Sequence, residues 1–276
     1  MKKPKLINVG FSFKDYYATI NHYYTEVFSR HLMLHYPLYK SDHETLEQRM
    51  HNLTDLCVSL VGDLKEKNVL EVGCGNGVQS AYVYKTYSPA TVTGVDINPD
   101  NIAIAQQQAG LSGNIIFCVD DAQKLDHILH DSIDTLFCIE SAFHYADKKL
   151  FLENVHRVLK PGGEFLLADI LSKSQKKRYW IRSWKEKMNF YHWTDEQYRQ
   201  AFSDIQGLQL LKSIDITSLV IQGYKGYRGW VTRRQCSSLI SYLLMQIFLL
   251  IFVNSNTIAL KNRRIYMIYS GVKSPA

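Results

Sequence analysis

The chain lacks the residue groupings that several function classes require. Its five cysteines, at 57, 74, 118, 138 and 236, are odd in number, widely spaced and set mostly in apolar runs. This spacing forms neither a disulfide framework nor a Cys-x-x-Cys metal pair, and it predicts reduced thiols in a cytoplasmic protein. Asp120-Asp121 alone is not a metal site, so no metal is expected. The basic start Met1-Lys2-Lys3-Pro4-Lys5 is not followed by an apolar segment, so no secretory signal is expected. A formal charge of +6, with its excess of lysine and arginine confined to 173–187, does not read as a nucleic-acid-binding tail. Internal repeats and low-complexity tracts are absent. Hydrophobic residues at 46% and charged residues at 21% are near globular averages, which excludes wholesale disorder. No G-x-x-x-x-G-K-S/T phosphate loop occurs either.

What is present is Val69-Leu70-Glu71-Val72-Gly73-Cys74-Gly75-Asn76-Gly77, a short apolar strand with an acidic residue running into three alternate glycines. Such glycines let the backbone turn sharply and approach a ligand that a side chain would block. A dinucleotide fingerprint needs a further glycine where Val78 stands, so hydride transfer is disfavoured at its own motif. From here the pattern alternates short β-branched runs with helical segments. Strands are expected at Asn68–Val72, Thr91–Asp96, Asn114–Val119, Ile133–Ile139 and Gly163–Asp169, and helices at 77–87, 99–109, 122–130 and 147–159. A sixth strand at Leu208–Ile216 and a seventh at Arg264–Val272 follow. This order predicts a single α/β domain over 1–276, a doubly wound, mostly parallel sheet built from right-handed βαβ units. Residues 64–170 form its core, 11–62 an N-terminal helical cap, and 171–206 and 217–262 cap insertions after strands five and six. Ligands in such sheets bind outside the carboxyl ends of the strands, where these insertions could roof the crevice. Asp96 ends the second strand about twenty residues beyond the glycine turn, where a carboxylate can accept from both hydroxyls of a ribose.

Glu71 through Gly77, Asp96, Asp121-Ala122 and Leu159-Lys160-Pro161-Gly162-Gly163 stand in the order and spacing of the class I S-adenosylmethionine (SAM) methyltransferases, which the chain resembles over most of its length. The resemblance implies a Rossmann-like methyltransferase fold and SAM as cofactor, leaving as S-adenosylhomocysteine. It assigns cofactor contacts to Glu71, Gly73, Cys74, Gly75, Gly77, Asp96, Ile97, Asp121, Ala122, Ile139 and Glu140, with Asp121 accepting from the adenine amine. Cys138 through Tyr145 is similar to the E-S/A-x-x-H segment of the small-molecule group that includes tocopherol, sterol and antibiotic-sugar enzymes. Tyr23-Tyr24 and Met33 through Tyr39 resemble that group's YYD and LHYGYW elements, with Pro37 at the glycine and Tyr39 at the tryptophan. Tyr24 is therefore added to the cofactor set. No N/D-P-P-Y motif or RNA-binding module points to a macromolecular acceptor.

Methyl transfer from a sulfonium needs alignment and exclusion of water, and a hydroxyl acceptor must also lose a proton. In the group's sugar O-methyltransferases a histidine after the fourth strand pairs with an aspartate at the end of the fifth. The resemblance thus makes His144 the general base and Asp169 the carboxylate that orients its ring. A small organic acceptor is the expected partner, apolar, aromatic or sugar-bearing, touched by Tyr23, His35, Phe143, Tyr145, Trp180 and Trp184. Carbon or nitrogen methylation on the same scaffold, and a catalytically silent binding protein, are the competing readings. Trp180, Trp184, Met188 and Tyr191 fall on one helical face opposite Arg178, Arg182 and Lys185, which suits a lid better than a membrane-interface helix. Leu239–Val253 is apolar and uncharged but shorter than a bilayer span, and is read as a buried helix that also offers a homodimer surface.

Overall fold

The computed structural model describes residues 13–109, 113–174 and 189–275. Seven strands form one sheet in the order β3-β2-β1-β4-β5-β7-β6. Strands β1 (Asn68–Val72), β2 (Thr91–Asp96), β3 (Ile115–Val119), β4 (Ile133–Ile139) and β5 (Leu159–Ser172) are mutually parallel. β7 (Arg264–Lys273) runs antiparallel between β5 and β6 (Leu208–Asp215), so the mostly parallel sheet closes on an antiparallel edge. The apolar runs of the parallel strands are buried on both faces because helices cover both. On one face α5 (Lys148–Val158) and α6 (Asp195–Asp204) pack Phe151, Val155, Tyr198 and Phe202 against Leu136, Cys138, Phe165 and Leu167. On the other, α2 (Leu46–Val58), α3 (Val78–Tyr87) and α7 (Thr217–Gly223) pack Leu53, Cys57, Val83 and Val220 against Val69, Val92, Phe137 and Leu166.

α4 (Pro99–Ala109) carries Ala105 against Gly77, where an added Cβ would sit 2.6 Å from the alanine Cβ. Gly77 thus serves close packing beside the turn. Capping boxes start α2 at Thr45 and Gln48 and α6 at Thr194 and Gln197. The first helix, α1 (Phe13–Phe28), is tied to the glycine turn by a side-chain chain. Asn76 donates to Asn21 Oδ1 (2.8 Å) and to the Leu32 carbonyl, and Asn21 donates to Asn101 on α4 (3.1 Å).

Two sequence expectations give way here. Residues 122–130 are turns and not a helix: the Asp120 carboxylate accepts from the Asp126 and His127 amides, folding the chain back, and Leu125 is left-handed at φ 52°. The apolar segment extends into a 24-residue helix, α8 (Leu239–Asn262), that is not buried. Only Leu249, Val253 and Leu260 of it are enclosed.

Candidate active site

A cleft of about 230 Å³ opens where the carboxyl ends of β1, β2, β3 and β4 meet, the crevice that a parallel sheet leaves at its switch point. Gly73 and Gly75 form its floor at φ +74° and +54°, in the left-handed region that glycine tolerates. The Gly73 and Cys74 amides donate to the Val95 carbonyl (2.7 and 3.0 Å), which locks the turn to β2. Asp96 faces the turn and accepts from the Gly75 amide (3.0 Å) and, through its other oxygen, from the Asn98 amide (2.8 Å). Burial raises its carboxyl above the usual range, opposed by those two amides and by Asn101. Asp121, held by the Gln123 amide (2.9 Å), lines the same wall with Ile97 and Ala122.

Glu71 is buried at the end of β1 and receives Gln79 Nε2 (2.9 Å) and the Ser80 hydroxyl. Burial pushes its carboxyl up to about 7, against the pull of both donors. Gln79 continues through Thr54 Oγ1 (3.3 Å) to His35 Nε2 (3.3 Å), so the cleft wall is one connected polar chain. Burial drives the His35 ring down to about 4, which keeps it neutral, and its Nδ1 bonds the Tyr36 carbonyl (3.1 Å). Glu140, at φ 51°, accepts from the Tyr36 amide (2.6 Å), and burial pushes its carboxyl up to about 8.

His144 lines the cleft from a short 3-10 turn spanning Ala142–His144. Its Nδ1 lies 3.2 Å from the Asn189 carbonyl and its Nε2 lies 3.0 Å from the Tyr17 hydroxyl. A carbonyl only accepts, so Nδ1 carries a proton, and in the neutral form of the ring Nε2 presents its lone pair to the Tyr17 hydroxyl. The ring also stacks on Phe190 at 5.4 Å between centroids. The 189–191 segment is fixed in turn by the Tyr191 amide on the Phe143 carbonyl (2.7 Å) and by the buried Lys148 ammonium, which donates to the carbonyls of Tyr145 (3.0 Å) and Tyr191.

The cleft brings together Glu71, Gly73, Cys74, Gly75, Asp96, Ile97, Asp121, Ala122, Ile139, Glu140, His144, His35 and Tyr145 from the residues the sequence singled out. It does not bring in Asp169 as the partner of His144. The Asp169 carboxylate accepts from the Tyr198 hydroxyl (2.6 Å) and the Ile170 amide (2.9 Å) in the core, and the Asn189 carbonyl takes its place at Nδ1. Tyr23 and Tyr24 turn away as well. Tyr23 packs against Phe248 of α8 and Tyr24 against Phe28, while Tyr17, two turns before Tyr24 along the same face of the helix, enters the cleft. Phe143 lies behind the wall, stacked on His192. Trp180 and Trp184 lie outside the described residues. Met33, Leu34, Asn76, Gln79, Asn101, Gln123, Ser141, Ala146, Asn189 and Tyr191 complete the lining. Leu34 and Asn76 fall inside motifs that the sequence displays, and Tyr191 on the aromatic face read as a lid; Asn189 carries no local signal. His31 and His35 stand four apart, yet His31 faces Thr25 and His35 faces Thr54. Among the described residues no group of three histidine, cysteine or acidic side chains is placed to hold a metal ion.

Residues 63–223 match a family model described as a methyltransferase domain. Over 123 residues the chain is 38% identical to the fatty-acid O-methyltransferase of Mycolicibacterium smegmatis, covering 45% of this chain and 42% of that protein. Over 108 residues it is 37% identical to the phthiotriol/phenolphthiotriol dimycocerosates methyltransferase of Mycobacterium leprae, covering 39% of each. The aligned part thus spans about two-fifths of the curated relatives. The solved structure of the 4+2 cyclase SpnF superposes with a TM-score of 0.75 at 18% identity, over 96% of this chain and 98% of that one, a likeness of fold alone. The glycine turn and the carboxylates of Asp96 and Asp121 line this one cleft, and SAM is the cofactor of the protein.

Proposed function

The chain belongs to the methyltransferase-domain family, and from that premise we propose that it is a SAM-dependent methyltransferase that methylates oxygen on a small organic or lipid acceptor. Asp96 would hold the ribose hydroxyls of the cofactor, the Gly73–Gly75 turn its amino-acid part, and Asp121 the adenine amine. When bound, the cofactor supplies an electrophilic methyl group on a sulfonium leaving group. The rest is the work of this chain's residues. His144 is the proton acceptor: an acceptor hydroxyl replaces the Tyr17 hydroxyl at Nε2 and gives up its proton there, while the Asn189 carbonyl holds the tautomer that makes Nε2 basic. Tyr17 and Tyr191 close the cleft over the acceptor and exclude water.

The observation that carries this reading is that Asp96 and His144, a cofactor anchor and a base, line one cavity. The relatives named above act on fatty acids and phthiotriol lipids, which favours an acceptor with a long apolar part. The test is methyl transfer from radiolabelled SAM to a panel of long-chain alcohols, phenols and fatty acids. Tight SAM binding with no transfer to any of them would leave a binding protein instead of an enzyme. The panel also separates chemistries, since a fatty-acid carboxylate is already ionised at neutral pH and needs no base, whereas a hydroxyl does.

A further inference from the structure

The outward side of α8 is an uncovered apolar stripe. Ile240, Leu243, Leu244, Ile247, Phe248 and Ile251 follow the i, i+3, i+4 rhythm of a single helical face, the kind that ordinarily packs into a core, yet they are between 50% (Phe248) and 72% (Ile240) exposed. The inward side is anchored. Leu249, Val253 and Leu260 are buried, Gln246 donates to the Val231 carbonyl (3.1 Å), and Asn256 accepts from the Tyr36 hydroxyl (2.8 Å). At its end Lys173 Nζ donates to the Lys261 carbonyl (2.7 Å), and β7 begins at Arg264. By length and composition the helix could cross a membrane. A helix held to its own domain along one whole side cannot be surrounded by lipid, so it can only lie along a surface.

The charges around the stripe identify that surface. No aspartate or glutamate occurs between Asp215 and the end of the chain at Ala276. Exposed Arg233 and Arg234 flank the first turn of α8, and exposed Lys261 and Arg263 its last. A second copy of the chain docked on this stripe about a two-fold axis would set basic end against basic end, with no carboxylate from 216–276 to compensate. An anionic bilayer compensates both ends at once, while its acyl region takes the stripe.

We propose that α8 is a membrane-docking helix that lies flat on anionic lipid, with the Ile240–Ile251 stripe in the acyl boundary and the cations of both ends on headgroups. Tyr36 joins the inward side of this helix to the cleft, with its hydroxyl on Asn256 and its amide on Glu140. Docking does not require the chain to transfer methyl groups, and its test is independent of that reading.

The experiment is sedimentation of the full chain with sucrose-loaded vesicles of phosphatidylcholine alone and of phosphatidylcholine mixed with phosphatidylglycerol, at low and high salt. Expected are binding to the anionic vesicles, weakening with salt, and little binding to phosphatidylcholine alone. Leu244→Glu with Phe248→Glu lowers the partition coefficient roughly a hundred-fold, since two large side chains lose their apolar contact. Arg233→Gln with Arg234→Gln lowers it roughly five-fold per charge. Both variants change exposed residues, and retained SAM binding confirms that they fold. Equal binding to both vesicle types, binding indifferent to Leu244→Glu/Phe248→Glu, or a stable vesicle-free dimer that these substitutions dissociate would each overturn the proposal.

Discussion

Replacing Gly73 by alanine tests how the turn forms its cradle. The residue sits at φ +74°, and an alanine Cβ built there falls 1.9 Å from Ser141 Oγ and 2.3 Å from Ser141 Cβ. Holding an L-residue in the left-handed region costs about 1–2 kcal/mol. Ser141 must also retreat and give up its 2.6 Å hydrogen bond to the Tyr145 hydroxyl, which adds about 1 kcal/mol. If the loop relieves this strain by leaving its cofactor-binding shape, SAM affinity falls by roughly 30- to 150-fold, the equivalent of about 2–3 kcal/mol. Isothermal titration with SAM reads the loss, and thermal unfolding separates it from global destabilisation. The steric part belongs to Ser141, so Gly73→Ala combined with Ser141→Gly should recover about tenfold relative to the sum of the single changes. Binding by Gly73→Ala within threefold of the parent, or a double variant no better than additive, would refute the argument.

Three further outcomes follow from the same geometry. Glu140 holds its proton up to about pH 8 when folded, against 4.5 when exposed, so its contribution to ligand-free stability is complete below 4.5 and is lost as pH rises through 8. The loss is at most about 5 kcal/mol, and Glu140→Gln should flatten that part of a stability-against-pH profile from chemical denaturation. Asp169→Asn should leave kcat for methyl transfer within about threefold while costing roughly 1–3 kcal/mol of stability, because its carboxylate serves Tyr198 and the β5 backbone. Asp96→Asn should weaken SAM binding by about tenfold or more, since a charge-assisted acceptor becomes a neutral one, and calorimetry would show it.

The fold was legible because β-branched runs alternate with helical segments from Asn68 onward and because the glycines at 73, 75 and 77 mark the end of the first strand. The position of Asp96 was legible for the same reason, since it closes a strand paired with β1 and its carboxylate meets the turn at the Gly75 amide. What stayed hidden depends on which way a face points. In α1 the aromatic residues are dense enough that periodicity does not tell the face of Tyr17 from that of Tyr23, and tertiary packing chose Tyr17 for the cleft. Leu239–Val253 suggested burial through its composition, but composition does not report whether a partner exists in the chain, and α8 buries only its inner side. The partner of Asp169 lies 29 residues away on α6, and that of His144 Nδ1 is a backbone carbonyl 45 residues away, which no side-chain motif encodes.

The most direct test of the account is single-turnover transfer of a radiolabelled methyl group from saturating SAM to a long-chain hydroxyl acceptor, compared between the native chain and His144→Ala. The account predicts a rate for the native chain that rises with pH as the imidazole loses its proton, and a loss of roughly 10²–10⁴-fold in His144→Ala with SAM affinity unchanged. Equal rates in the two proteins, or efficient transfer only to a carboxylate acceptor and independent of His144, would contradict it.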